Sequence, residues 1–514
     1  VGLANLRGLD LTEYHRQREV GHQQFRAACY APFVGMSFDV NGLVSVCAFT
    51  RTTPLGQVGE VPLLDMWNGA AVTALREAVG RDDLAYACTR CAEEIAGGNL
   101  GGSLAAGFDP FVADPAAPWP TRMEFALSNS CNLQCVMCAG EFSSAIRAHR
   151  EGLPPVPQRY GEAFIEELTP FLGHLEQARF LGGEPFLAEV NFRIWERMID
   201  LGVRAECNVT TNGTQWSPRV ERVLGELPFS IGISVDGHRA ETVEAIRSGV
   251  EHERLLENIH RFVGHRDRTG ASLSLTYCLM VPNAGEFVDF LLFAESLECD
   301  VFVNTVRQPP EFSLYLLDAD VLAGVVAELE SQRAAASSRL DRNLRVLDGQ
   351  IERLQTHLAG LRAGDRELAG AVTRVGRANE LLEVVADPSL DEQAVVGTLR
   401  ASSIDGQVDV VRTDEEDRIV VGDRYAGLDL TGWAGRPASA IHPELAGVLG
   451  LRLDVLASRS GGGSVGRVVS FADPGASPTV VAMLTRRGPA PWAMSRFVAV
   501  LERGVPVGVP VGFP

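Results

Sequence analysis

Three cysteines, Cys131, Cys135 and Cys138, stand at C-x3-C-x2-C spacing in "SNSCNLQCVMCAGEF", residues 128–142. A loop of that spacing can wrap three thiolates around a cubic four-iron, four-sulfur cluster. Structural zinc is the competitor, but it takes four closed ligands, usually as paired C-x2-C knuckles. No histidine lies near enough in sequence to complete a zinc site, His149 falling beyond a helix-like segment. One metal corner is left without a protein ligand, which makes sense where a small molecule must coordinate.

Upstream, Cys29, Cys47, Cys88 and Cys91 form a second group, closing with the C-x2-C pair 88–91. Four thiolates suffice to close a zinc site or to ligate one cluster fully, and the residues alone leave both open. The remaining cysteines, Cys207, Cys278 and Cys299, are apolar-flanked and read as ordinary buried side chains. Ten cysteines in a chain without signs of secretion point to metal or redox chemistry rather than disulfides.

Composition narrows the classes further. The formal net charge is −20, which argues against a surface that tracks nucleic acid. All 46 basic residues are arginine, so a lysine Schiff base with pyridoxal phosphate or a carbonyl substrate is excluded. No run of about 18 uncharged apolar residues marks a membrane span. The first twenty residues are charged and lack the apolar core of a signal peptide, so a cytoplasmic location is expected.

The elements that must hold these cysteines follow from periodicity. Residues 1–115 contain two short strand-like runs around the turn Asp39–Gly42, then a helix through "LLDMWNGAAVTALREAV". "GGNLGGSLAAG" (97–107) and "DPAAPWP" (114–120) read as a linker. From 116 to 312, six strand segments alternate with helices, which implies right-handed βα units and a parallel sheet. In "FSIGISVDG" and "SLSLTYC" polar and apolar residues alternate, as they would on a barrel with a polar lumen and an outer face packed on helices. Six units fall short of the eight of a full TIM barrel. Residues 313–395 are expected to be helical, with Leu340, Leu344, Leu347, Ile351, Leu354, Leu358 and Leu361 at heptad spacing. That stripe suits either packing within the chain or a homodimer. Residues 396–514 read as a small α+β domain in which "DEEDRIVVGDRYAGL" resembles PAS-type modules. The expected fold class is thus α/β: a partial (β/α)6 TIM-type barrel with an N-terminal iron–sulfur module, a helical segment and a small C-terminal α+β domain.

The cysteine loop together with "LGGEP" (181–185), "TTNG" (210–213), "SVDG" (234–237) and "IRSGVEHERLLENI", in that order on βα units, resembles the radical S-adenosylmethionine (radical SAM) superfamily. The upstream "C-x12-G-x4-C" pattern with "PLGQV", "LLDMWNG" and "LREAV" resembles the SPASM or twitch modules that carry auxiliary clusters. Those modules usually follow the barrel, whereas this one precedes it. The resemblance covers about residues 25–310. It implies a 4Fe-4S cluster on Cys131, Cys135 and Cys138 with SAM on its open iron, and an auxiliary 4Fe-4S cluster on the upstream four cysteines. It further implies that Gly182, Gly183, Glu184 and Pro185 receive the methionine amino group. Thr210, Asn212, Ser234 and Asp236 would meet the ribose and carboxylate, with Arg247 a carboxylate partner. The position before the third cysteine, often aromatic in that family, is Met137.

The implied activity is reductive cleavage of SAM to a 5′-deoxyadenosyl radical that abstracts a substrate hydrogen, as an oxidoreductase- or transferase-type enzyme. A fully ligated auxiliary cluster favours assisting net oxidation or bond formation over donating sulfur. The expected substrate is a small natural-product-type metabolite, with a ribosomal precursor peptide as the alternative. A non-enzymatic iron–sulfur or zinc scaffold is a third reading. Flavodoxin or ferredoxin is the expected electron donor. Lumen candidates are Glu124, Glu206, Asn208, Ser274 and Thr276, with Cys278, Asn304 and Arg307 as catalytic candidates. Glu141 reads as a helix N-terminal charge.

Overall fold

All six strand segments expected between residues 116 and 312 form, and all run parallel. In the computed structural model they are β4 (Arg122–Phe125), β6 (Gln177–Phe180), β7 (Glu206–Thr211), β8 (Phe229–Ser234), β10 (Ser272–Leu279) and β11 (Asp300–Thr305). Described are residues 9–51, 53–96, 103–306, 309–364, 381, 385, 390–403 and 408–413, and beyond these the strands of a C-terminal sheet.

The N-terminal segment does not stand apart. Its strands β1 (Gly35–Phe38), β2 (Leu43–Ser45) and β3 (Gly56–Gln57) extend the same sheet, in the order β11-β10-β8-β7-β6-β4-β1-β2-β3. β1 pairs parallel with β4, Gly35 opposite Arg122 and Phe38 opposite Phe125. The hairpin turn is set locally: Asp39 Oδ1 accepts from the N–H groups of Asn41 and Leu43, each at 2.9 Å, and Gly42 has φ +87°, which favours glycine.

Alternation along the strands sets the two faces. In β8, Phe229, Ile231 and Ile233 are buried while Ser230, Gly232 and Ser234 are half-buried. The apolar face packs on helices such as Glu189–Asp200, whose Trp195 meets the rings of Phe180, Phe186, Phe192 and Phe229. Each such ring withdrawn from water contributes about 1.5–3 kcal/mol. The helices begin and end on local signals. Ser217 Oγ accepts from Val220 N ahead of Pro218, and Gly270, at φ +74°, stops the helix His252–Thr269.

The helix expected through residues 63–79 breaks at Gly69 into Leu63–Asn68 and Ala70–Gly80. The expected linker is packed where it is described: Ala105, Phe108, Phe111 and Ala113 are buried and Leu104–Phe108 is a 3-10 turn. Residues 97–102 lie outside the described residues. A two-residue antiparallel bridge joins β5 (Gln134–Cys135) to β9 (Arg247–Ser248).

The heptad stripe corrects one expectation. Helices Ala319–Ala336 and Leu344–Arg362 pack on each other and on the sheet. Leu347, Ile351, Leu354 and Leu358 are buried in the chain's own core, as is Leu340 in the connection. The stripe is covered from within, so the homodimer through it is withdrawn. The C-terminal sheet is antiparallel and six-stranded, in the order β13-β12-β19-β18-β17-β16. It is made of β12 (Asp409–Thr413), β13 (Ile419–Val421), β16 (Arg452–Gly461), β17 (Ser464–Ala472), β18 (Thr479–Arg487) and β19 (Met494–Glu502). No helix among the described residues is long and apolar enough to cross a membrane.

Truncating Leu354 to alanine should cost about 2–5 kcal/mol through the cavity it leaves. It should lower the thermal midpoint while light scattering shows the same mass as the wild type. A change in oligomeric state instead would return the stripe to an intermolecular role.

Candidate active site

The parallel strands end together, and the expected motifs follow from those ends. The three-cysteine loop follows β4, Gly182–Pro185 follows β6, Asn212 follows β7 and Asp236 follows β8. Ligand sites at the carboxyl ends of parallel strands are the general rule for such sheets.

Cys131, Cys135 and Cys138 are half-buried and unbonded to one another. The loop is held by its neighbours: Cys131 N–H donates to Ser144 Oγ, Val136 N–H to Ile246 O, and Arg150 Nη2 to Cys138 O at 2.6 Å. Two donors from outside the loop meet sulfur. Asn212 Nδ2 donates to Cys131 Sγ at 3.8 Å, and Arg247 Nη1 to Cys135 Sγ at 3.7 Å. Arg247 also pairs with Asp236 at 2.5 Å, both buried. Burial opposes the Arg247 charge, but Asp236 outweighs it and keeps its pKa above the ordinary value. Asp236, at φ +65°, accepts on Oδ1 from Cys278 N–H at 2.6 Å. Asn283, fully buried, donates to the carbonyls of Asp236 and Cys278 and accepts from Met280 N–H.

Glu184 is also fully buried. Its oxygens accept from Thr211 Oγ1 at 2.8 Å, Phe186 N–H at 3.0 Å and Asn212 N–H at 2.7 Å. Burial raises its pKa, against the pull of those donors. Gly182 and Gly183, at φ +81° and +54°, lie on the backbone of residues 126–130. A Cβ on Gly183 would stand 2.5 Å from Ser130 O. The carboxylates of Glu184 and Asp236 are thus engaged within the chain, while Thr210 is exposed and Ser234 half-buried. Met137 packs with Ile246, Met280, Val306, Phe312 and Cys278 in a small apolar cluster.

On the lumen face Glu124 accepts from Arg179 Nη1 at 2.9 Å and from Ser37 Oγ at 3.4 Å. Asn208 donates to Glu206, and Ser274 to Ile231 O. Thr276 is buried beside Ser234, Asn304 is exposed on β11 opposite Cys278, and Phe302 is 63% exposed on the same strand. Cys278 is half-buried where Cys207 and Cys299 are buried, and it packs on the Ile246–Met280–Val306 cluster. Burial, followed by Asp236, pushes its pKa up, so it stays a thiol at neutral pH. Arg307 lies outside the described residues. Glu141 does not cap a helix: it pairs with Arg51, which also binds Asp39, tying the cysteine loop to the N-terminal hairpin.

The upstream cysteines Cys29, Cys47, Cys88 and Cys91 are brought together, all buried and all lining one cavity with Ala31, Leu84 and Phe108. Burial pushes Cys29 and Cys88 well up and Cys47 to about 11. Cys138 in the loop rises to about 12 for the same reason. Buried, unbridged thiols without a base beside them suit a metal centre that draws off their protons. Among the described residues no three such groups converge tightly enough for a single metal ion. By donor type the sets fit an iron–sulfur cluster at each group, and the four buried thiols of the upstream cavity fit zinc as well.

Sequence reading missed Asn283, Arg150, Ser144 and the Arg51–Glu141 contact. Their partners are distant in sequence, and only "CLMVPNAGE", with an asparagine after proline, gave a local hint.

Residues 125–294 match the model of the radical SAM superfamily, and residues 29–92 match that of the SPASM iron-sulfur cluster-binding domain. The AdoMet-dependent heme synthase of Methanosarcina barkeri is 28% identical over 134 residues, 25% of this chain and 34% of that protein. The probable GTP 3′,8-cyclase of Methanocaldococcus jannaschii is 24% identical over 178 residues, 34% of this chain and 55% of that one. The chain thus spans only part of these relatives. Among solved structures, native anSMEcpe with bound AdoMet aligns at a TM-score of 0.32 and 15% identity, covering 42% of this chain and 60% of that one. Streptococcus suis SuiB bound to precursor peptide SuiA aligns at 0.30 and 12%, covering 60% and 71%.

Two outcomes test the site. Arg247→Ala leaves Asp236 buried without its partner and should cost about 3–5 kcal/mol, read as a lower thermal midpoint. Because the folded pKa of Glu184 lies above its ordinary 4.5, its stabilising contribution is full below that pH and is lost as pH rises through the folded value. Wild type should therefore lose stability relative to Glu184→Gln as pH climbs above 4.5. Parallel midpoint curves for the two proteins would contradict this.

Proposed function

We propose that this chain, with its radical SAM domain and SPASM module, is an enzyme that cleaves SAM reductively and removes a hydrogen atom from a small polar metabolite in the sheet lumen. The observation that carries the reading is the common location of the cysteine loop and three strand-end motifs at one end of a polar-faced parallel sheet. When bound, the cluster on Cys131, Cys135 and Cys138 supplies the electron that breaks the sulfonium bond.

The chain's residues do the rest. Asn212 and Arg247 place N–H donors against the Cys131 and Cys135 sulfurs, an arrangement that fixes the loop and would tune the potential of a cluster held there. With the Glu184 carboxylate spent on its three internal donors, the Gly182–Gly183 turn offers main-chain groups to the methionine end of SAM. The apolar cluster around Met137 provides a wall for the adenine in place of the expected aromatic. Glu124, held by Arg179, is the lumen carboxylate available to orient a hydroxyl or amine and to take its proton. The half-buried Cys278 thiol, with Asn304 opposite on β11, supports a contact with the substrate at the lumen wall. Cys29, Cys47, Cys88 and Cys91 would hold one auxiliary 4Fe-4S cluster, favouring net oxidation or bond formation. Flavodoxin or ferredoxin would deliver the electrons. The exposed Phe302 on edge strand β11 supports a second reading, a peptide segment entering from that flank.

Anaerobically reconstituted protein should carry about eight irons per chain and form 5′-deoxyadenosine from SAM with dithionite. Replacing Cys131, Cys135 and Cys138 together by alanine should abolish that product and leave about half the iron. SAM cleavage by the triple variant would sink the assignment.

A further inference from the structure

Arg122 opens β4 on the face it shares with Glu124, and its side chain is buried, the residue 7% exposed. Its Nη1 donates to Gly107 O at 3.0 Å, and its guanidinium lies 4.2 Å from the centre of the Phe108 ring and 5.6 Å from that of Phe111. Among the described residues it makes no ion pair within 4.0 Å. The other buried cation near these cysteines, Arg18, is already neutralised by a two-pronged bond to Asp109 at 2.8 and 2.5 Å. Glu124 is no free counter-ion for Arg122 either, since Arg179 holds it at 2.9 Å.

A buried cation short of counter-charge is costly. Burial, and then repulsion by Arg179, pull the Arg122 pKa down to about 10, which still leaves it charged at neutral pH. Glu124, shared with Arg179, and after it Cys47 and Cys29 lie within its electrostatic reach, and Phe108, stacked on its guanidinium, lines the cavity of the four cysteines. The register explains the proximity. β2 returns antiparallel to β1, with Ser45 opposite Ser37, so the chain leaves β2 for Cys47 toward the end where Gly35 faces Arg122.

We infer that Arg122 is the counter-cation of the auxiliary cluster and raises that cluster's reduction potential; the inference rests on the cluster reading of Cys29, Cys47, Cys88 and Cys91. Four thiolates give a four-iron cluster a net negative charge, and reduction by one electron makes it more negative. A fixed cation nearby in a poorly polarisable interior stabilises the reduced state more than the oxidised one.

The test is a dithionite titration of the reconstituted full chain, one electron per cluster, followed by electron paramagnetic resonance. It is run in the background of Cys131, Cys135 and Cys138 all changed to alanine, so that only the auxiliary signal remains. Arg122→Met and Arg122→Gln should each move the midpoint to lower potential, while Arg122→Lys, which keeps the charge, stays close to the parent. The glutamine variant keeps a donor for Gly107 and serves if the methionine variant loses its iron. An unmoved midpoint in a charge-free variant that retains about four irons overturns the role of Arg122 alone. A parent that binds zinc in place of iron at these cysteines overturns the cluster reading, and the inference falls with it.

Discussion

The ion pair between Asp236 and Arg247 fixes more of this site than any other contact. Arg247 belongs to the two-residue bridge that clamps Cys135, and its guanidinium touches the Cys135 sulfur. Asp236 follows β8 and binds the backbone of β10 at Cys278. One buried pair therefore joins the cysteine loop, two strand ends and the lumen thiol. Two charges withdrawn from water gain little net stability from their attraction, but removing either leaves the other stranded. The left-handed backbone at position 236 suits aspartate, one of the few residues besides glycine that tolerates it, and its short carboxylate reaches the neighbouring strand.

A second constraint is the continuity of the sheet. Because β1 pairs with β4, the two cysteine groups leave from opposite ends of one short strand: the loop follows Phe125, and the chain runs from β2 to Cys47 toward the Arg122 end. The three steps between those positions span only roughly 10 Å. Ser37, Glu124 and Arg179 fill that stretch of the lumen face. Arg51 reinforces the link by holding Asp39 of the hairpin and Glu141 of the loop at once. A module placed before the barrel in sequence can thus act on the same lumen, since a parallel pairing takes no account of chain order.

Engagement within the chain also redistributes roles among the motif residues. Glu184 and Asp236 carry the charges a sequence reader notices, yet both carboxylates are spent on internal donors. Their part is to hold the strand ends in register, so that main-chain groups and smaller polar side chains such as Thr210 and Ser234 remain for a ligand. Glu124, by contrast, stands outside any motif. Its weight comes from a lumen position that only the pairing of β1, β4 and β6 creates.

The sequence by itself determined the six parallel strands, the polar lumen face and both sets of cysteines. These are local properties: side chains alternate with period two, and thiol spacing within one loop limits which metals it can wrap. The tertiary structure alone decided that the N-terminal hairpin joins the barrel sheet and that the leucine stripe at 340–361 packs inside its own chain. It also decided that Arg122 is buried without an ion pair among the described residues and stacks on Phe108 of the cysteine cavity, and that Cys278 is half-buried. Each of these depends on which surface lies opposite which. Periodicity shows that a face is apolar or charged, but its partner is chosen by the packing of residues far apart in the chain.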